Sequence, residues 1–95
     1  PFVALCPGAD GDGLRRLCLA AAEAGGALTA VLAPGGTGLA YALTVPGGDA
    51  RPVCRALNAA FGGRGGGKPN FCQGSLPGAD FDAVRNFLRN LPMDQ

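Results

Sequence analysis

Few residues in this 95-residue chain could do chemistry. Histidine is absent, which removes the usual general base, the usual metal ligand and every triad built on imidazole. What remains is a handful of carboxylates, four thiols, Tyr41 and Lys68, and no two of these stand at a recognisable catalytic spacing. The chain is therefore expected not to be an enzyme by itself, with no catalytic residue, no metal site and no cofactor.

The thiols, Cys6, Cys18, Cys54 and Cys72, are widely spread with no C-x-x-C pair, and each lies in an apolar pattern. That distribution reads as buried thiols of a cytoplasmic protein rather than disulfides or metal ligands.

The densest chemical signal is glycine. Between Gly62 and Pro69 the chain reads GGRGGGKP, with Gly62, Gly63, Gly65, Gly66 and Gly67 interrupted by Arg64 and closed by Lys68 and Pro69. Each glycine forfeits about 0.4 to 1 kcal/mol relative to alanine wherever alanine could take the same backbone. Either several residues need positive φ, or something approaches the backbone more closely than a Cβ allows. Exposed N–H groups flanked by Arg64 and Lys68 could receive phosphate oxygens. A tight helix-to-strand connection accounts for the composition equally well. A P-loop does not, because this run leaves a helix rather than entering one and places Pro69 where Ser or Thr would hold magnesium. Residues 7–13, PGADGDG, lack the dinucleotide spacing, and Asp10 and Asp12 would repel a pyrophosphate.

These residues need elements to position them. "FVALC" at 2–6 reads as a buried strand. A helix follows, capped by Asp12, with Leu14, Leu17, Cys18 and Ala21 facing inward and Gly25-Gly26 as its stop. Leu19 projects away from that face, either as an isolated exposed residue or as a contact with a dimer mate or an upstream segment. Residues 27–33 and 39–45 are β-like runs around a turn of hairpin length. Asp49 can cap a second helix with Pro52 in its first turn and Val53, Leu57, Ala60 and Phe61 on one face, ended by Gly62. After the glycine loop, "NFCQGS" reads as a short strand, and Asp80 caps a last helix with Phe81, Val84, Leu88 and Leu91 inward and Pro92 as its stop. The order β-α-β-β-α-β-α predicts an α/β fold: a mixed sheet, parallel where a helix joins two strands and antiparallel at the hairpin, with helices packed against it.

Length and composition fit one domain over residues 1–95, with 47% hydrophobic and 16% charged residues, too apolar for disorder. Its apolar runs are too short to span a bilayer, and without a basic n-region and apolar stretch at its start a signal peptide is not expected. A start at Pro1 without a methionine reads as a piece of a longer chain with sequence missing upstream. The net charge of +1 is uninformative, but most acids sit near helix starts, which leaves Arg51, Arg55, Arg64 and Lys68 free either to form one positive patch or to stand as scattered, solvated cations.

GGRGGGKP followed by FCQGS resembles the signature of the DHH-associated domain, the C-terminal domain of alanyl-tRNA synthetases and of longer alanyl-tRNA editing proteins. Gln73 and Gly74 match the segment after the glycines, while Cys72 and Ser75 stand where that family has Ala and Gly. "DGDGLRRLCLAAAE" is similar to the family's first helix. The resemblance implies a tRNA-binding accessory domain, with Gly62, Gly63, Arg64, Gly65, Gly66, Gly67, Lys68 and Pro69 as its nucleic-acid-binding residues. Alanine tRNA and upstream domains of the parent chain are the partners it implies. A zinc-binding editing domain would lie before Pro1, so the resemblance implies that this piece is C-terminal. Two other readings stand beside it: a dimerisation or docking domain acting through protein contacts, and the phosphate-binding domain of a DHH phosphoesterase. The second is disfavoured because those carry a histidine in the glycine motif and this chain has none.

Overall fold

The computed structural model describes residues 2–24, 28–36 and 38–91. Eight elements follow one another: β1 (Phe2–Leu5), α1 (Gly11–Ala24), β2 (Thr29–Gly35), β3 (Gly38–Thr44), α2 (Arg51–Phe61), β4 (Arg64–Lys68), β5 (Phe71–Pro77) and α3 (Phe81–Arg89). The expected order holds, with one strand inserted. The glycine run, read as a loop, is itself β4.

The strands form one mixed sheet in the order β1-β2-β3-β5-β4, in which only β1 and β2 are parallel. That pair is the one joined through a helix, as a parallel crossover requires. Side chains alternate across the sheet. On one face Val31, Ala33 and Ala42 pack with Leu14 and Cys18 of α1. On the other, Leu32, Tyr41, Leu43, Cys72 and Leu76 pack under α2 and α3 with Leu57, Val84 and Leu88.

Capping differs from the expectation in two places. Asp10, not Asp12, caps α1, its Oδ1 accepting from Gly13 N at 2.8 Å, because the helix starts two residues earlier. Asp12 instead lies in the first turn and pairs with Arg16 at 2.9 Å. The cap position of α2 is Ala50, and Asp49 stands one residue before it, bonded to Arg51 N at 3.0 Å. Asp80 does cap α3, accepting from Ala83 N at 3.3 Å. The stops assigned to Gly25-Gly26 and Pro92 lie outside the described residues.

Burial also corrects three assignments. β1 is an edge strand and not a buried one, with Phe2 51% and Leu5 39% exposed. Leu17 is 44% exposed, because the inward stripe of α1 runs through Leu14 and Cys18. Ala60 faces solvent, and Cys54 takes the inward position on α2. Leu19 is exposed, as its helical position requires. All four cysteines are free, three of them buried and Cys6 half-buried.

Candidate nucleic-acid interface

The glycine strand is delivered by the end of α2. Gly62 takes a left-handed conformation, φ 65°, that no side chain adopts readily, and its N–H returns to Asn58 O. Gly63 N reaches the same carbonyl at 2.9 Å. The chain then runs as β4 along the outer side of β5, Arg64 opposite Ser75 and Lys68 opposite Phe71, and reverses through Pro69-Asn70. That turn is held from two sides: Ala50 N donates to Pro69 O at 2.7 Å, and Thr44 Oγ1 donates to Asn70 O at 2.6 Å.

A short crossing explains part of the glycine content. Tyr41 on β3 is opposite Gly74 on β5, which is opposite Gly65 on β4, so the three share one line across the sheet. The tyrosine ring lies over that line, and a Cβ on either Gly65 or Gly74 would come within 2.8 Å of its hydroxyl. Gly65 also has φ +155°, beyond what a side chain tolerates. The Tyr41 hydroxyl donates to Asn58 Oδ1 at 2.9 Å and touches Cys54 Sγ at 3.0 Å. Asn58 Nδ2 in turn reaches Gly65 O at 3.4 Å. Burial first, then the hydrogen bond to Cys54, pushes the Tyr41 pKa upward, so the hydroxyl stays protonated as a donor.

Gly66 stands apart. A Cβ built there meets nothing within 4 Å. Strand alternation turns Gly66 to the face opposite α2, together with Arg64 and Lys68, and α1 on that face packs on β2 and β3 rather than β4.

The backbone of β4 is open on one side. Lys68 and Phe71 flank a two-residue loop and form the hydrogen-bonded pair, so by alternation Gly66 also bonds β5 while the N–H and C=O of Gly65 and Gly67 point away from the sheet. Two outward N–H groups therefore stand about 7 Å apart along an edge with no side chains between them.

Cations flank this edge on both sides, which differs from the single patch considered from sequence. Arg51 and Arg55 project from α2 and, with Cys54, Cys72 and Gly65 to Gly67, line a shallow depression of about 170 Å³. Arg64 and Lys68 lie on the other face. Arg51 is paired with Asp49 at 2.7 Å, and its hydrogen bonds to that carboxylate hold the Asp49 pKa down at about 2. Arg55, Arg64 and Lys68 have no ion-pair partner among the described residues. Beneath the depression, burial and then Cys54 push the Cys72 thiol up to about 11, which leaves it an inert packing group rather than a nucleophile.

The eight residues from Gly62 to Pro69 thus form one continuous surface feature, with Gly62 and Gly63 serving the turn out of α2. Sequence reasoning named Tyr41 and Gly74 for other reasons and Asn58 not at all, and assigned none of the three a part in the packing beneath this strand. Only Gly74 left a local signal, a glycine after Gln73 inside an otherwise β-forming run.

Five strands in this order, with one helix on one face and two on the other, define a small mixed α/β domain of a kind already seen in a solved protein. The chain is similar to the crystal structure of the C-Ala domain from Aquifex aeolicus alanyl-tRNA synthetase, with a TM-score of 0.81 and 18% identity over 93% of this chain and 86% of that one. At that identity the likeness establishes the fold. No family model and no curated protein matches the sequence. Among the described residues no helix is long and apolar enough to cross a membrane, and no group of three or more metal-ligating side chains comes together.

Proposed function

We propose that this chain is a tRNA-binding accessory domain of an alanyl-tRNA synthetase or alanyl-tRNA editing hydrolase, working in the cytoplasm beside upstream domains that carry the chemistry. The observation that carries the reading is β4: an open edge whose outward N–H groups at Gly65 and Gly67 lie between Arg51 and Arg55 on one face and Arg64 and Lys68 on the other. Backbone N–H groups and flanking cations are the donors that phosphate oxygens select. The fold likeness to the C-Ala domain supports the same reading, as does the resemblance of GGRGGGKP to the DHH-associated signature. The docking alternative is weaker, because Leu17 and Leu19 lie on different sides of α1 and make no common apolar patch.

Titration of an alanine tRNA across a salt series tests the proposal. With Arg64→Ala and Lys68→Ala combined, the log-log salt slope is expected to shrink by about 1 to 2 and affinity to fall. Identical curves for the two proteins would remove the phosphate role and leave the glycines to the fold.

A further inference from the structure

A second cationic depression lies at the opposite edge of the sheet. It has a volume of about 270 Å³ and is lined by Phe2 and Val3 of β1 and by Arg85 and Arg89 of α3. The two arginines are one helical turn apart and so present their guanidinium groups to the same space. Arg85 has one weak acidic partner, Asp82 Oδ1 at 3.3 Å, and its Nε is buried with no hydrogen-bond acceptor. The same guanidinium lies 5.8 Å from the Phe81 ring centroid while the side chain as a whole is 40% exposed, so an aromatic face holds it in a position that an anion can still reach. Arg89 has no ion-pair partner among the described residues. The remaining wall is Phe2 and Val3, of which Phe2 is half exposed beside those charges.

An aromatic ring next to two arginines with one weak acidic partner between them is the pairing that recognises a nucleotide, by stacking on the base and charge-assisted hydrogen bonds to the phosphate. We infer that the depression between β1 and α3 is a nucleotide subsite, with phosphate on Arg85 and Arg89 and base against Phe2. Its occupant, a nucleotide of a bound RNA, rests on the function proposed above; the site itself does not. Four strand spacings separate the two sheet edges, about 19 Å, so this contact and β4 would touch different parts of one nucleic acid.

The probe is AMP, compared with inorganic phosphate and adenosine and followed by amide shifts in the 95-residue chain. AMP is expected to move the amides of Val3 and Arg89 and to bind more tightly than either half alone. Arg89→Ala, an exposed position outside the core, should weaken AMP about tenfold, the effect of one charge-assisted contact. Phe2→Ala should reduce AMP to the affinity of phosphate. The Arg64→Ala, Lys68→Ala variant should keep AMP binding unchanged, even if tRNA binding proves not to involve β4. Unmoved Val3 and Arg89 amides, an Arg89→Ala curve equal to the parent, or loss of AMP in the β4 variant would each overturn the subsite.

Discussion

Tyr41 Oη donates a hydrogen bond to Asn58 Oδ1 at 2.9 Å, and the same asparagine reaches Gly65 O through Nδ2 at 3.4 Å. A buried side chain on a central strand thereby fixes an exposed edge strand through the last turn of α2.

Removing either end of that relay should cost stability. Tyr41→Phe keeps the ring over Gly65 and Gly74 but strands the Asn58 acceptor, and an expected loss of about 1 to 2 kcal/mol follows. Asn58→Ala should cost a similar amount, and the double variant less than the sum, since the two residues share one bond. Urea unfolding of the four proteins measures the coupling; strict additivity would show that the bond contributes nothing.

Gly65 and Gly66 are neighbours with opposite expectations. At Gly65 a methyl group would run into Gly74 and the Tyr41 hydroxyl on a backbone that already needs glycine, so Gly65→Ala should cost about 2 kcal/mol or more. At Gly66 the space is open, and Gly66→Ala should be neutral or stabilise by about 0.4 to 1 kcal/mol. Under the proposed function Gly66→Ala still weakens tRNA binding, because the added methyl stands where the backbone of the RNA comes close. Thermal melts read the first pair of effects and a tRNA titration the second.

Alkaline pH should loosen the fold. Burial pushes Cys18 and Cys72 from near 9 to about 11, so the native state holds protons that the unfolded chain releases earlier. Their contribution is complete below pH 9 and is lost as pH rises from about 9 to 11. The urea midpoint is expected to drop between pH 8 and pH 10, and Cys72→Ala should flatten that drop. An unchanged midpoint would mean that the thiols are solvated.

The turn between β4 and β5 depends on a contact far away in sequence. Thr44 Oγ1 donates to Asn70 O at 2.6 Å, and Thr44→Val removes that donor while keeping the shape. The expected cost is about 1 kcal/mol, with faster hydrogen exchange confined to residues 64–71. Exchange spread evenly over the sheet would show that the bond supports the whole fold and not the turn.

Much of this architecture is legible in the sequence because its signals are local. Asp80 before α3, Gly62 after α2 and the apolar runs flanking residues 34–38 each act over a few residues, and each element formed where they placed it. β4 was not legible, since RGGGK has almost no β propensity and becomes a strand only because β5 offers a ladder and Tyr41 fills the space that its missing side chains leave. Leu17 failed for a related reason. Its place on the helix favours burial, but α1 packs on β2 and β3 through Leu14 and Cys18, and Leu17 is left beside that contact. In the candidate site the run from Gly62 to Pro69 was visible as composition, while its partners Tyr41 and Asn58 come from 21 and 4 residues before Gly62 and meet only in three dimensions.

An open sheet edge is a template for any passing chain, and the usual casualty is the protein itself. If two copies met at β4 in antiparallel register about Gly66, Arg64 of one would face Lys68 of the other at both ends of the pairing. Like charges directly opposite repel, so the two cations that bracket the glycines make this edge a poor match for its own twin. Under the proposed function an acceptor-rich, negatively charged partner meets no such penalty, so the pair of side chains that works against self-pairing is the pair that would admit the ligand.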